Sequence, residues 1–299
     1  MWLKSITVSE QPPLSLSIKE WSRRGLPCVL IHGFGDAACV WDHLAARIAP
    51  QYRVIAVDLR GHGNSDWDPE ARYDTETFTG DLTKVVESFG FDQMVLVAHS
   101  LGADVAIRFA AANGARVVAL VIVDFGPELD KAGVDEIVRN FVAMPRAFAS
   151  AEEYAQWLIA RRPLADPDML RQFARHNLRQ SPTQTWEVKS DATLASRSQI
   201  SKFDAQDGRY SSPGLWPALT RIKCPTLLVR GIGSGILRYD VASRMVDNTL
   251  ADARLATIAA AGHSVMMDNP AAFSASVISF LSGIAARGSQ ARRQAAKMR

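Results

Sequence analysis

The chain has 299 residues, of which 47% are hydrophobic and 22% are charged, and its formal net charge at pH 7 is +3. This composition is ordinary for a globular protein and allows one large α/β domain or two small ones. The net charge is too small to indicate a nucleic-acid or membrane partner. The longest apolar runs are far shorter than a membrane span, so a soluble, cytoplasmic protein is expected.

The sequence contains no metal or cofactor motif. Its three cysteines, Cys28, Cys39 and Cys224, match neither a disulfide framework nor the spacing of metal ligands. They are predicted to be buried structural thiols. A glycine-rich nucleotide loop is also absent from the sequence. We therefore expect a protein that uses no metal and no cofactor.

Short β-branched runs alternate with longer helical patterns along the chain. This alternation predicts βαβ units and a parallel sheet with helices on both faces. Before them, Lys4–Ser9 and Leu14–Glu20 alternate apolar and polar residues, which predicts an antiparallel hairpin at the sheet edge. The predicted parallel strands are Pro27–His32, Arg53–Asp58, Gln93–His99, Arg116–Asp124, Pro225–Gly231 and Arg254–Ala259. The predicted helices are Val40–Ala49, Thr75–Phe89, Leu101–Asn113, Asp240–Asp247 and Pro270–Ala285.

One region interrupts the alternation. Residues 126–217 show no strand pattern, are rich in arginine and contain several prolines. We interpret them as a helical cap inserted over the carboxyl ends of the strands, where open α/β sheets bind ligands. Residues 1–125 and 218–286 then form the core domain. The last segment, 287–299, has five basic residues and no acidic one, which predicts a solvated, disordered tail. A basic docking tail is the alternative.

A nucleophile elbow is predicted at Val95–Ala103, where a strand runs directly into a helix. The serine of this turn is Ser100, whose hydroxyl group would stand above the sheet. Such a turn is tight, so the residues two before and two after the serine must be small, and here they are Ala98 and Gly102. The following helix adds a positive dipole at the hydroxyl group. The structural alternative is a serine that only caps a buried helix.

A glycine-containing loop, His32–Gly35, ends the first predicted parallel strand. Acyl transfer needs two N–H donors that point at the developing oxyanion. We assign one to Leu101, directly after Ser100, and the other to Phe34, with Gly35 as the second choice. His32 is interpreted as a residue that braces the loop.

His263 is the predicted general base. It follows the last strand in the segment Ala261-Gly-His263-Ser264, and of the six histidines it alone has this late position on a loop. The order serine, acid, histidine along the chain is the order of α/β-hydrolases. The structural alternative is a surface histidine.

Together these motifs resemble the α/β-hydrolase superfamily. The segments Asp58–Ser65, Val229–Gly231 and Ala261–His263 complete the set, which runs in the expected order through most of the chain outside the cap. The resemblance implies an α/β-hydrolase fold with a mostly parallel, eight-stranded sheet. It also implies a catalytic triad at the carboxyl edge of that sheet.

The acid of the triad departs from the usual pattern. Similar enzymes commonly carry Arg-Gly-x-x-Ser-Asp after the strand that follows the cap, whereas this chain has Gly235 at the aspartate position. Asp240 is one replacement, although it also fits the first turn of a helix. Asp124 is the other, because it ends the strand that follows the elbow helix. Some members of the superfamily, the 2-(acetamidomethylene)succinate hydrolase-like enzymes, take their acid there, so we predict Asp124.

The predicted function is a serine hydrolase that forms an acyl-enzyme with a small-molecule substrate. Esters, lactones, thioesters and activated amides all suit this chemistry. A C–C bond hydrolase or an acyltransferase on the same fold is the alternative within catalysis. A ligand-binding receptor on a hydrolase scaffold is the alternative outside it. A homodimer is left open beside a monomer.

The cap is predicted to select the substrate. Its many arginines suggest recognition of a carboxylate, because a guanidinium group can bind a carboxylate through two hydrogen bonds. Solvated helix faces are the alternative. Trp41, Phe125 and Met266 lie near the catalytic motifs in sequence and are predicted to contact substrate. The cap arginines are Arg139, Arg146, Arg161, Arg162, Arg171, Arg175, Arg179 and Arg197.

Overall fold

A computed structural model describes residues 1–182, 184–195, 204–206 and 208–297. One predicted cap residue, Arg197, lies outside the described residues. The strands are β1 (Trp2–Glu10), β2 (Pro13–Glu20), β3 (Leu26–Ile31), β4 (Tyr52–Val57), β5 (Met94–His99), β6 (Val117–Val123), β7 (Glu128–Asp130), β8 (Ala147–Phe148), β9 (Leu178–Gln180), β10 (Trp186–Val188), β11 (Asp204–Gln206), β12 (Arg209–Ser211), β13 (Thr226–Gly231) and β14 (Ala253–Ile258). The helices are α1 (Asp42–Ile48), α2 (Thr75–Ser88), α3 (Leu101–Ala112), α4 (Lys131–Val142), α5 (Ala151–Ile159), α6 (Pro167–His176), α7 (Leu215–Arg221), α8 (Tyr239–Asn248), α9 (Val265–Asp268) and α10 (Pro270–Lys297).

The central sheet has eight strands in the order β1-β2-β4-β3-β5-β6-β13-β14. The first two strands form the antiparallel hairpin, β2 pairs antiparallel with β4, and the remaining neighbours are parallel. The α/β-hydrolase fold class and the mostly parallel, eight-stranded sheet are therefore confirmed. Every predicted strand of this sheet is present, with ends that agree within two residues.

The middle strands are buried on both faces. All residues of β5 are buried, and so is almost all of β6. Because consecutive side chains of a strand point to opposite faces, complete burial requires cover on both sides. The helices that supply this cover also pack on one another: α1 contacts α10, and α3 contacts α2 and α7. A continuous apolar run is thus the sequence signature of these strands.

The cap differs from the all-helical prediction. Between β6 and β13 the described residues form helices α4 to α7 and two small antiparallel sheets, β8-β10-β9 and β11-β12-β7. The prediction of a region without strands was therefore wrong. These strands have two or three residues each, too few to produce a readable alternation. The predicted cap end at residue 217 falls inside α7, which packs on the core helix α3.

The end of the chain also differs from the prediction. Helix α10 continues through Lys297, whereas the sequence predicted a disordered tail from residue 287. Of the helices that the structure describes, none combines the length and apolarity needed to cross a bilayer.

Candidate active site

Ser100 lies at a strained turn between β5 and α3. Its φ is +51° and its ψ is −119°, a region that side-chain-bearing residues rarely adopt. Glycine is required two residues later, because a Cβ on Gly102 would lie 2.5 Å from the carbonyl oxygen of His32. A Cβ on Gly33 would lie 3.1 Å from the Cβ of Ser100. The predicted elbow geometry therefore follows from close backbone packing of α3 and the β3 loop.

Three predicted residues meet at the carboxyl edge of the sheet. The Ser100 hydroxyl oxygen lies 3.1 Å from His263 Nε2, and His263 Nδ1 lies 2.8 Å from Asp124 Oδ2. Since a carboxylate only accepts, Nδ1 carries the proton and Nε2 offers its lone pair to the serine. Ser100 follows β5 and Asp124 follows β6, which are neighbouring strands, and His263 follows β14. The structure thus brings together residues that are far apart in sequence.

Asp124 is fully buried, with 0% of its surface exposed, and has three donors. Besides His263, the Ser234 hydroxyl donates to Oδ2 at 2.6 Å and the Gly231 N–H to Oδ1 at 3.3 Å. These donors replace the hydrogen bonds to water that burial removes from the carboxylate. Asp240, the other candidate, is a first-turn residue of α8 with its side chain 54% exposed, and it pairs with two arginines. It lies outside this hydrogen-bonded group.

Two N–H groups near Ser100 are available for an oxyanion. Gly35, the second choice, donates its N–H to His62 Nε2 at 3.1 Å and is thereby occupied. The N–H groups of Phe34 and Leu101 have no acceptor among the described residues. For Leu101 this follows from its position, because the first N–H groups of a helix have no partner within the helix.

Two buried histidines hold the loop that carries Phe34. His62 Nδ1–H donates to the Arg60 carbonyl oxygen at 2.9 Å, which leaves Nε2 to accept from Gly35. His32 donates to the Gly33 carbonyl oxygen and accepts the Leu59 N–H. Burial lowers the pKa of His32 to about 4 and that of His62 to about 3. Both rings are therefore neutral near pH 7 and act as fixed hydrogen-bonding braces, as predicted for His32.

A second polar group lies behind the catalytic loop and was not predicted from sequence. His99 Nε2 donates to the carbonyl oxygen of His263 at 3.0 Å, and its Nδ1 lies 3.5 Å from Asp36 Oδ2. Arg162 of the cap reaches Asp36 at 3.4 Å. Burial alone would raise the pKa of Asp36, but His99 and Arg162 hold that pKa below its usual range. The one sequence feature that could have indicated this polar group is the position of His99 directly before Ser100.

Ser100 and His263 line a cavity of about 320 Å³ between the core and the cap. Its wall is mainly apolar, and α4, α5 and the following turn supply most of it. Polar groups are fewer and include Glu136, Arg161 and Asp268. Burial raises the pKa of Asp268, which also accepts the Gly262 N–H. The apolar wall residues include Phe34, Ile137, Phe141, Met144, Tyr154, Trp157, Leu158, Leu164 and Ile236.

The three predicted pocket residues do not line this cavity. Trp41, Phe125 and Met266 are buried in the hydrophobic core, with 3% or less of their surfaces exposed. Trp41 packs against Phe273, with ring centroids 6.1 Å apart. They lie near the catalytic motifs in the sequence, but their side chains point into the core. The prediction that they contact substrate was therefore wrong.

Only two described cap arginines line the cavity, Arg161 and Arg162. Arg171 pairs with carboxylates on the cap surface, and Arg179 pairs with Glu187. Arg139, Arg171 and Arg175 lie on helices away from the cavity, which is the alternative given above, whereas Arg146 and Arg179 lie outside the helices. In the part of the chain that the structure describes, no cluster of His, Cys, Asp or Glu could hold a metal ion.

A strained serine above a parallel sheet, a late loop histidine and an intervening cap define the α/β-hydrolase class. A family model described as the alpha/beta hydrolase family matches residues 28–276, and the chain belongs to that family. The predicted superfamily is therefore confirmed.

Several curated relatives are named as hydrolases or esterases. A 2-(acetamidomethylene)succinate hydrolase from Mesorhizobium japonicum is 26% identical over 75% of this chain and 76% of its own length. An esterase from Mycobacterium tuberculosis is 28% identical over 86% of this chain and 83% of its own length. The crystal structure of an E-2-(acetamidomethylene)succinate hydrolase superimposes with a TM-score of 0.81 and 23% identity, covering 94% of this chain and 99% of that one. These matches confirm the predicted resemblance to that subgroup.

Proposed function

We propose that the chain is a serine hydrolase that cleaves an ester, lactone, thioester or activated amide of a small substrate. In this proposal Ser100 is the nucleophile, His263 the base and Asp124 the acid. Phe34 and Leu101 donate their N–H groups to the oxyanion. The observation that carries the proposal is the unbroken hydrogen-bonded series from buried Asp124 through His263 to Ser100 in the wall of a cavity.

The chemistry follows from the donors and acceptors of this series. His263 Nε2 takes the proton of Ser100 as the hydroxyl oxygen attacks the substrate carbonyl carbon. The two free N–H groups stabilise the oxyanion, and Asp124 stabilises the imidazolium cation. His263 then protonates the leaving group, whose bond to the carbonyl carbon breaks. Water, deprotonated by His263, attacks the acyl-enzyme and releases Ser100.

The substrate is proposed to pair an apolar group with a carboxylate. The apolar wall of the cavity suits a small aliphatic or aromatic group, and Arg161 stands beside that wall. This guanidinium group stacks on Trp157 and has no carboxylate partner among the residues described. A carboxylate on the substrate is consistent with the relative that is named 2-(acetamidomethylene)succinate hydrolase.

The nucleophile is tested with p-nitrophenyl acetate and butyrate. We expect the wild-type protein to show a burst and turnover, and Ser100→Ala to lose both by at least about 10³-fold, because the nucleophile is absent. Mass spectrometry should detect an acetyl group on Ser100 in the wild type. Equal release by both proteins, or acetylation elsewhere in both, would falsify the proposal. Circular dichroism establishes that the variant is folded.

A further inference from the structure

Ser234 lies in the loop after β13, directly before Gly235, and its hydroxyl group points at the proposed acid. Ser234 Oγ donates to Asp124 Oδ2 at 2.6 Å. The same carboxylate oxygen accepts the Nδ1–H of His263 at 2.8 Å. The two donors therefore share one acceptor atom. In this chain the loop that usually provides an acid provides a hydroxyl donor to an acid on the neighbouring strand.

The direction of the Ser234 hydroxyl proton is determined by its other contacts. A hydroxyl group has one proton and two acceptor positions. The N–H groups of Ile236 and Leu237 each donate to Ser234 Oγ at 3.1 Å, and together they occupy those acceptor positions. The hydroxyl proton is left for Asp124. The loop backbone thus fixes the hydroxyl group as a permanent donor to the carboxylate.

We propose that Ser234 is a positioning residue that holds Asp124 in place for His263 and tempers the basicity of His263. The inference rests on the proposed function. A donor to a carboxylate draws negative charge away from it and weakens its attraction for a neighbouring imidazolium cation. Without Ser234, Asp124 would attract the protonated form of His263 more strongly. The base would then become available only at higher pH.

The other charged groups around Asp124 remain the same when Ser234 is changed. His99 at the end of β5 and Asp268 in α9 both lie close enough to interact electrostatically with Asp124. Arg230 of β13 donates to the Ser234 carbonyl oxygen at 3.4 Å, which is a backbone contact that a side-chain change leaves in place. A difference between Ser234 variants therefore isolates the hydroxyl group.

The test is the pH dependence of kcat/KM for a p-nitrophenyl ester, which reports the ionisation of the base in the free enzyme. For Ser234→Ala we expect a roughly tenfold fall in the pH-independent kcat/KM. We also expect the acid limb to move up by roughly half a pH unit or more. Ser234→Thr retains the hydroxyl group and should keep the wild-type limb. As a matched control, Ser243→Ala removes a serine that donates to Asp247 at 2.5 Å on the exposed side of α8, and should match the wild type.

Two outcomes would overturn the inference. One is a fall in activity of Ser234→Ala with an unmoved acid limb, which would mean that the serine only supports the loop. The other is a Ser234→Thr profile that follows the alanine variant. If Ser234→Ala does not fold, Ser234→Cys provides the same comparison, because a thiol is a weak donor of similar shape. The pH profiles of the Ser234 variants test this inference only if the activity depends on Ser100. If Ser100→Ala is active, the proposed function itself is wrong, and this result is distinct from both outcomes above.

Discussion

Two of the three proposed catalytic residues have backbone conformations that residues other than glycine avoid. Ser100 has a φ of +51° and Asp124 a φ of +48°. Such conformations cost on the order of 1–3 kcal/mol each and persist where the surroundings enforce them. The N–H of Ser100 donates to the carbonyl oxygen of Val123 in β6, and the N–H of Asp124 donates to the carbonyl oxygen of Val229 in β13. Each residue is therefore held to the adjacent strand. The strain therefore occurs where the proposed chemistry requires fixed side chains.

The identity of the acid is the sharpest prediction at this scale. We expect Asp124→Asn to lower kcat by about 10⁴-fold, because an amide can bond His263 in the wrong tautomer and cannot stabilise the imidazolium. Asp240→Asn is the matched control and should change kcat by less than about twofold, since its exposed ion pairs contribute little. Steady-state kinetics with p-nitrophenyl butyrate give both values. Loss of activity in the Asp240 variant, with the Asp124 variant intact, would reverse the assignment.

Sequence reasoning placed Ser100, Asp124 and His263 because each follows a strand, and strand ends converge in a parallel sheet. It could not place the pocket residues. Trp41 was near the catalytic motifs in sequence, yet the direction of its side chain depends on how helices pack across the sheet. His99 and Asp36 were missed for the same reason, because their contacts join segments from three parts of the chain.

At the scale of elements, the short strands of the cap were not predicted, whereas the core strands, the core helices α1, α2, α3 and α8, and the first part of α10 were. The core strands each contain six or more residues in an uninterrupted apolar or an alternating pattern, which sequence reveals directly. The cap strands are defined by pairing with other short segments of the chain and not by a pattern in their own residues. Arg162, just beyond α5, also ties the cap to Asp36 of the core. Such contacts between distant elements leave no local sequence pattern.

The turn after α5 should determine whether a charged substrate is preferred. Arg161 is the cavity-lining guanidinium group that lacks a carboxylate partner in the described part of the chain. We expect Arg161→Gln to lower kcat/KM for a succinate monoester roughly tenfold, the value of one charge-assisted interaction. The neutral butyrate ester should be affected less than about threefold. Arg171→Gln removes a surface arginine that pairs with Asp168 and Glu152, and serves as the control. An equal loss for both esters in the Arg161 variant would contradict carboxylate recognition.

At the scale of the whole molecule, burial of neutral histidines couples folding to pH. His32 and His62 have folded pKa values of about 4 and about 3, below the ordinary value of 6.5. Between each folded pKa value and 6.5, the unfolded chain binds a proton that the folded chain does not. The free energy of unfolding therefore falls as pH falls through this range. Each histidine contributes up to about 1.4 kcal/mol per pH unit in that range. The stabilisation is complete above pH 6.5 and is lost progressively below it.

We therefore expect the Tm of the wild-type protein to fall from pH 7 to pH 5, and that of His62→Gln to fall less steeply. Glutamine can still accept the Gly35 N–H through its carbonyl oxygen but binds no proton. His176→Gln, at an exposed cap position, should keep the wild-type slope because its ring is in solvent in both states. Buried carboxyl groups whose pKa is raised by burial and that do not interact with His62, such as Asp104, are common to all three proteins and cancel in the comparison. Parallel slopes for the wild type and His62→Gln, measured by differential scanning calorimetry, would mean that His62 does not link folding to pH.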